Sequence, residues 1–516
     1  MQTEKEYLTG REISSLRCES VGEYPLPDYN GDVKKILAVK TKCFPTGKFV
    51  GDDSLELSGA VMYEVVYLDS ENTVTHAEFS TDYDAAVKIN SETYVDSDVR
   101  TVISASNVRL VGPRKLSVKC SLDSEVHILE RRVHAIDGDV FMEYEPETLS
   151  DTVDVLVPTF ASGEAREIGE ELLSIDGAIA DEVEVLLSGV EFVESAVESV
   201  EGVATVKGEV VFAALVRNAD ALPRCVTKRV PYSEEVVLPE GAQAQELWGS
   251  VELSSYGCTV SPTEEGVSLS VRVSACPKVY GRKNSPLDIV SDAYLKERAT
   301  ENEYADFSYT EHILSERAAE TFEFKTTLSE IGVENATDVI YTEAQAKVNE
   351  CELVDNGVII KGEMRFVGIA YCVDDNGVIN YCPVKFTSEF AKNVNIDCQI
   401  HDNMRINCAV NATNSKINID ENNVFASSDL DFFVTLSADK RQRCLGSSYA
   451  TDEEYAKDDS VITVYYPDPS ESLFSIAERF HTSVESIAKS NRLSESVFHS
   501  LGAPIGDGGV KKLIIK

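Results

Sequence analysis

Val358-Ile-Ile-Lys-Gly362-Glu-Met-Arg-Phe366 alternates apolar and polar side chains along its length. Ile360, Met364 and Phe366 share one side of this pattern with the glycine, and the charged residues Lys361, Glu363 and Arg365 lie on the other. A period of two is typical of a β-strand that buries one face and exposes the other. The stretch therefore predicts a half-buried strand, with a glycine in its middle that indicates a bulge or a close backbone approach.

The same pattern occurs twice more in the chain, centred on Gly59 and Gly208, at intervals of about 150 residues. Apolar residues recur two positions before, two positions after and four positions after each glycine. They are Leu57, Val61 and Tyr63 around Gly59, Val206, Val210 and Phe212 around Gly208, and Ile360, Met364 and Phe366 around Gly362. An aromatic residue follows each glycine by 24 positions, namely Tyr83, Tyr232 and Phe386. Turn sequences lie between glycine and aromatic residue, at 69–72 in the first copy and 374–377 in the third, and predict hairpins. Such internal repetition predicts three copies of one β-domain.

Later alternating segments in each copy complete the predicted domains. The fold class that we predict is mainly β, with three repeated antiparallel β-sandwich-like domains followed by a small α+β domain. The predicted divisions are an N-terminal segment (1–30), three β-domains with linking strands (31–168, 169–318 and 319–444), an acidic, flexible linker (445–459) and the small domain (460–516).

The last 57 residues predict a strand, two helices and a second strand. Val461–Tyr466 is β-branched and aromatic, and prolines at 467 and 469 end it. Leu473, Ile476, Ala477 and Phe480 have helical spacing, as do Val484, Ile487 and Ala488, and Leu513–Ile515 is again strand-like. Thr482 with Glu485 predicts a capping box at the start of the second helix.

This tail resembles the LysM (lysin motif) family. The matching positions are Leu473, the Ile476-Ala477 pair, Asn491 and Leu513-Ile-Ile515, whereas Ser470-Glu471-Ser472 replaces the usual Gly-Asp-Thr and Lys516 the usual Pro. The resemblance implies a shallow ligand groove formed by residues 468–473 and 491–497. The residues that it assigns to this groove are Asp468, Ser470, Glu471, Ser472, Leu473, Asn491, Arg492 and Leu493.

With the repeats, the tail and the phrase Ile289-Val-Ser-Asp-Ala-Tyr294, the chain resembles SPOCS (spore-coat-associated) domain proteins of endospore-forming Firmicutes that carry a C-terminal LysM domain. The resemblance implies a scaffold of the spore envelope whose LysM part contacts a coat morphogenetic protein. The alternative is a protein that binds GlcNAc-containing peptidoglycan glycan.

The charge of the chain is strongly asymmetric. It has 47 basic and 89 acidic residues, a net charge of −42, whereas residues 460–516 hold six of each. The acidic excess therefore lies in residues 1–459, and such a surface repels nucleic acid and anionic lipid. The start of the sequence shows no signal peptide and no stretch is apolar enough to span a membrane, so we expect a cytoplasmic protein, placed by the resemblance in the mother cell at the forming spore surface.

The sequence contains no recognisable set of catalytic residues. The seven histidines and twelve cysteines are scattered, which predicts neither a metal site nor a catalytic site, and no cofactor is expected. A hydrolase would need a pair of carboxylates that only the fold could bring together. Trp248 is more simply a core residue than a sugar platform, and the acidic turns at 374–377 and 420–423 need no calcium.

Overall fold

The computed structural model describes residues 4–28, 30–219, 221–239, 246–333, 335–374, 376–455, 462–493, 501–505 and 512–515. Strands form 76% of the described residues and helices 5%, and the strand pairs are antiparallel. The predicted mainly β, antiparallel fold class is thus confirmed. Most of the strands belong to three units, each built from two sheets that pack face to face.

The first unit spans seven strands: β1 (Glu4–Pro25), β2 (Val33–Cys43), β3 (Gly47–Val50), β4 (Ser54–Asp69), β5 (Val74–Lys88), β6 (Tyr94–Gly112) and β7 (Lys115–Ala135). One sheet has the order β1-β7-β6, and in the other β2, β3 and β5 pair with β4. Tyr63 and Phe79 of the second sheet pack with Tyr24 and Leu122 of the first, so the alternating pattern of β4 faces the space between the sheets.

The second unit follows a short helix, α1 (Val140–Glu143). Its strands are β8 (Glu147–Ser162), β9 (Arg166–Asp176), β10 (Val183–Val200), β11 (Val203–Asn218), β12 (Arg224–Val237), β13 (Glu246–Pro262) and β14 (Gly266–Tyr294). The sheet β10-β11-β12 covers a sheet in which β8, β9 and β13 all pair with the long strand β14.

The third unit has the simplest sheets, β15-β20-β19 and β16-β17-β18. Its strands are β15 (Arg298–Thr327), β16 (Asp338–Val354), β17 (Gly357–Val373), β18 (Ile379–Asn395), β19 (Met404–Asp420) and β20 (Asn423–Glu454). Phe366 of β17 and Phe432 of β20 are fully buried between the two sheets.

The predicted boundaries are corrected by the pairing of each unit's first strand with its last. β1 pairs with β7, β8 with β14 and β15 with β20. Residues 4–25 are therefore a strand of the first sheet, not a separate segment, and the second and third units begin earlier than 169 and 319. The paired strands lie more than 80 residues apart in the sequence, so no local sequence pattern predicts their pairing.

The predicted linker at 445–459 is also corrected. β20 continues to Glu454, still paired with β15, and Leu445 is fully buried. The polar residues of this part of β20 include the buried Ser447 and Ser448, whose hydroxyls donate to Glu303 (3.1 Å) and Asn302 (2.7 Å) of β15. Residues 456–459 lie outside the described residues.

Close packing surrounds each of the three glycines. A Cβ on Gly59 would lie 2.5 Å from the Tyr83 hydroxyl oxygen, one on Gly208 would lie 2.6 Å from the Phe192 ring, and one on Gly362 would lie against the Phe390 ring. The residues opposite the glycines in the next strand are Tyr83, Tyr232 and Phe390. In the third unit the hairpin is longer, so Phe386, the aromatic residue 24 positions after the glycine, pairs with Phe366, and Phe390 lies opposite Gly362.

The predicted hairpin turns follow β4 and β17. Asp69 Oδ1 accepts hydrogen bonds from the backbone N–H groups of Glu71 (2.9 Å) and Thr73 (2.8 Å), and Asp374 uses its Oδ1 in the same way. Asn72 and Gly377 have positive φ angles of 64° and 80°, which Asn and Gly adopt readily. The carboxylates thus stabilise turns.

The three units share apolar clusters and ion pairs. Leu37 of the first unit, Leu186 of the second and Tyr341 of the third belong to one buried cluster. Polar contacts join the units in pairs: Arg282 with Glu12 at 2.5 Å, Asn407 with Glu125 at 2.6 Å, and Arg317 with Glu194 at 2.7 Å. The three units therefore pack together as one body and are not separate domains joined by linkers.

Candidate ligand groove of the C-terminal module

The C-terminal module consists of two short strands and two helices. β21 (Thr463–Tyr465) pairs antiparallel with β22 (Leu513–Ile515), and between them lie α2 (Leu473–Arg479) and α3 (Val484–Asn491). Its buried residues form a common cluster and include Leu473, Ile476, Ala477, Val484, Ile487, Leu513 and Ile515. The helical spacing read from the sequence thus places these side chains in the module's core.

Serine residues cap both helices. The Ser472 hydroxyl accepts a hydrogen bond from the Ser475 N–H (3.0 Å), and the Ser475 hydroxyl accepts one from the Ser472 N–H (3.2 Å), which is a capping box at the start of α2. α3 begins after Ser483, whose hydroxyl accepts from the Ser486 N–H at 3.1 Å. The capping box predicted from Thr482 and Glu485 is wrong by one position.

The first predicted groove loop is held by two carboxylates. Asp468 Oδ1 accepts hydrogen bonds from the N–H (2.9 Å) and the hydroxyl (2.6 Å) of Ser470, and both residues are exposed. Glu471 accepts from the Tyr465 hydroxyl (2.8 Å), the Asp468 N–H (2.9 Å) and Arg479 (2.6 Å). These bonds, the one from Tyr465 above all, lower the pKa of Glu471 and fix the loop around it.

The second predicted groove loop begins with a side chain that joins a helix to a strand. The Asn491 amide donates to the Ile487 carbonyl (2.8 Å) and the Ile514 carbonyl (2.7 Å), and its oxygen accepts from the Ile514 N–H (2.6 Å). Arg492 ends α3 in the left-handed region, with φ at 56°, and its side chain is exposed. Leu493 packs against the core, and residues 494–497 lie outside the described residues.

The chain that leads into β22 lies against the first loop. The Ile505 N–H donates to the Glu471 carbonyl (2.7 Å), and the Phe474 N–H donates to the Leu501 carbonyl (3.2 Å). The structure therefore brings the start of α2 next to the 501–505 segment. It leaves Asp468, Ser470 and Arg492 as the exposed members of the eight predicted groove residues, whereas Glu471, Ser472, Leu473 and Asn491 serve the module's own structure.

The module also packs on the body, a contact that the sequence did not predict. The Tyr294 hydroxyl, at the end of β14, donates to the Thr482 carbonyl (2.7 Å), and its ring meets Phe474 edge-on at 5.1 Å. Leu149 of β8 joins the same cluster, and the Tyr455 ring stacks on His481. Tyr294 ends the phrase that the family resemblance singled out, which is the one signal in the sequence that bears on this contact.

The described part of the chain holds no group of three or more His, Cys, Asp or Glu side chains arranged to bind a metal ion. Within the same residues, no helix is long and apolar enough to cross a membrane. No protein-family model, curated protein or solved structure matches this chain.

Proposed function

We propose that this chain is a non-enzymatic scaffold of spore-envelope assembly, with three repeats of one SPOCS-like β-domain as its body and a LysM-like module as its docking end. The observation that carries the proposal is the contrast between the C-terminal module and the body of the same molecule. A small module with its own core and balanced charge is seated on a large acidic body. An interaction module on a rigid support is the arrangement that a scaffold requires.

The partner that fits the proposal best is a coat morphogenetic protein, met in the mother-cell cytoplasm at the forming spore surface. A protein partner needs exposed, differently charged side chains on a fixed backbone. Asp468, Ser470 and Arg492 supply these, and the internal bonds of Glu471 and Asn491 hold the loops that carry them. The acidic body disfavours nucleic acid and anionic membranes as partners.

The alternative function is binding of GlcNAc-containing peptidoglycan glycan by the same loops. The observation that favours it is that Leu473 of the first predicted loop and Leu493 of the second belong to one apolar cluster, which places the two loops next to each other as a glycan groove needs. A carboxylate, a hydroxyl and a guanidinium can all bond to sugar hydroxyls.

The test uses the full-length chain with the double change Ser470→Ala and Arg492→Gly. Glycine suits the left-handed position of Arg492, so the backbone is preserved while both side chains are lost. A matched control is Lys489→Ala, which removes an exposed cation from α3.

Two measurements are made on each variant: recruitment of the tagged chain to the forming spore in a sporulating endospore former, and co-sedimentation with purified peptidoglycan. The proposal predicts that the double variant loses recruitment, that Lys489→Ala retains it, and that neither the parent nor the variants sediment with peptidoglycan. Sedimentation that the double variant abolishes would establish the alternative. Normal recruitment of the double variant would overturn docking through these loops.

A further inference from the structure

A cavity lies where the three units of the body meet. It has a volume of about 200 Å³ and opens toward a larger cleft of about 870 Å³, with which it shares Arg100, Glu125, Phe192 and Asn407. Since a cavity of about 150 Å³ holds one benzene molecule, the smaller cavity has room for one ligand of hexose size. No described residue of the C-terminal module lines it.

Aromatic rings form one wall of this junction cavity. Trp248 of β13 lies 4.6 Å from the Phe433 ring and stacks with Tyr280 at 5.8 Å, and the Trp248 side chain is only half-buried. The Arg282 guanidinium already occupies a cation–π position 5.8 Å from the indole ring. A cationic ligand would therefore compete with a cation that the protein supplies itself.

Charged groups of both signs surround the wall. The acidic members are Asp98, Glu125, Glu194 and Asp431, and the basic members are Arg100, His127, Arg282 and Arg317. Burial lowers the pKa of His127, but hydrogen bonds to Glu12 and Glu125 outweigh it and raise the pKa to about 9, so this imidazole is charged at neutral pH. The charges balance, which disfavours a ligand with a net charge of its own.

One buried carboxylate that lines the cavity, Asp98, has incomplete hydrogen bonding. Asp98 is only 6% exposed, and its Oδ1 lies 3.6 Å from the Lys278 ammonium. Its Oδ2 has no hydrogen bond of good geometry among the described residues, although the Tyr280 hydroxyl lies near this carboxylate. A buried acceptor without a well-aligned donor costs free energy, so this atom indicates a position for a better-aligned donor from outside the chain.

We propose that the junction cavity binds one pyranose ring of a neutral carbohydrate. The apolar face of the ring would lie on Trp248 and Phe433, a hydroxyl would donate to Asp98 Oδ2, and other hydroxyls would accept from Asn407 or an arginine. Hydroxyls suit this site because each both donates and accepts, and carries no charge. The larger cleft has space for further sugar units of an oligosaccharide. This site is separate from the groove of the C-terminal module and does not depend on the proposed function.

The test exploits the fact that Trp248 is the only tryptophan of the chain. Its fluorescence reports on the junction cavity, and binding at the C-terminal module adds no tryptophan signal. The full-length chain is titrated with glucose, N-acetylglucosamine and its β-1,4-linked dimer, together with glucosamine as a cationic probe and glucose 6-phosphate as an anionic probe. We expect a saturable change in emission and reduced quenching by acrylamide with a neutral sugar, and weaker responses to the charged probes.

Two variants of the cavity and one control variant separate binding from folding. Asp98→Asn keeps the shape of the side chain and should weaken sugar binding by about tenfold, because a hydrogen bond to a charged acceptor is lost. Asp84→Asn, an exposed carboxylate of the same unit, should bind like the parent. Phe433→Leu keeps an apolar side chain and should weaken binding by removing part of the aromatic wall.

Circular dichroism confirms that each variant is folded before it is titrated. Absence of any response to all three neutral sugars would overturn the proposal, as would an unchanged affinity in both Asp98→Asn and Phe433→Leu. A stronger response to glucosamine or to glucose 6-phosphate than to the neutral sugars would overturn the assigned ligand class.

Discussion

The C-terminal module and the body are stabilised over different distances along the chain. In the module, Ser472 bonds to Ser475 and Asn491 to Ile487, contacts of three and four residues. In the body, the first strand of each unit pairs with the last, and Glu125 of the first unit bonds to Asn407 of the third. The difference teaches that local sequence patterns determine the helices of the module, whereas the module's strand pair and the sheets of the body depend on pairings that form only when distant segments meet.

The contact between these regions gives the largest expected effect. Tyr294→Ala removes a ring that is 2% exposed and the hydrogen bond to Thr482, and should cost about 3–5 kcal/mol of free energy of unfolding, as burial losses of this size do. Hydrogen exchange measured by mass spectrometry should speed up across α2 and α3.

Tyr294→Phe is the matched control. It keeps the contact with the Phe474 ring and loses only the hydroxyl, so it should cost about 1 kcal/mol. If hydrogen exchange in α2 were unchanged in the alanine variant, the stability of the module would not depend on its contact with the body. The two regions would then be independent in stability.

The second prediction concerns the junction of the body, where His127 is bridged by Glu12 and Glu125, each 3.3 Å away, and Glu12 also meets Arg282. The folded-state pKa of His127, about 9, is above its usual 6.5, so its stabilisation is complete below pH 6.5 and is lost as pH rises through 9. Burial raises the pKa of Glu125, but its bonds, first that to His127, lower it to about 2, so its contribution is present above pH 4.5 and is lost as pH falls through 2.

Stability of the body should therefore be highest between about pH 4.5 and 6.5 and fall by up to about 3 kcal/mol between pH 6.5 and 9. Urea unfolding across this range measures the loss. His127→Gln should remove most of the alkaline slope, and His401→Gln, which changes an exposed histidine, should not. An equal alkaline slope in both variants would place the titrating group elsewhere.

A glycine in the body provides the third prediction. Gly208→Ala would place a Cβ against the Val193 carbonyl and 2.6 Å from the Phe192 ring, and should cost about 1–3 kcal/mol through overpacking. Gly257→Ala is the control in the same unit, since nothing lies within 4 Å of its added Cβ. Thermal unfolding compares them, and equal melting temperatures would mean that the recurrent glycines have no packing role.

The sequence predicted what its local patterns encode. The alternation around Gly208 predicted a strand, the acidic turn at Asp69 predicted a hairpin, and the spacing of Leu473 and Ile476 predicted a helix. It could not predict that residues 4–25 belong to the first sheet, because their partner strand begins only at Lys115. The sequence favours a core role for Trp248, since nothing near it in sequence indicates the Phe433 and Asp98 that complete its cavity.

Among the eight groove residues, the resemblance selected positions that lie in two neighbouring loops but did not separate their roles. A motif records which residue types recur, and a buried leucine or a bonded asparagine recurs for structural reasons as readily as for binding. Asn491 bonds to both chain atoms of Ile514 and so fixes β22. Only the contacts distinguish such a residue from the exposed Arg492.

The smallest expected effect tests whether local pattern alone suffices even within the module. Ser483→Ala removes the hydroxyl that accepts the Ser486 N–H and should lower the free energy of unfolding of the module by about 1 kcal/mol. Thr482→Ala, at the position that the sequence pattern favoured, should have little effect, because Thr482 contacts Tyr294 through its backbone carbonyl and not its side chain. Hydrogen exchange of the α3 amides measures the effect of each of the two substitutions. If Thr482→Ala proved the more costly, the pattern read from the sequence would describe the start of α3 better than the structure does.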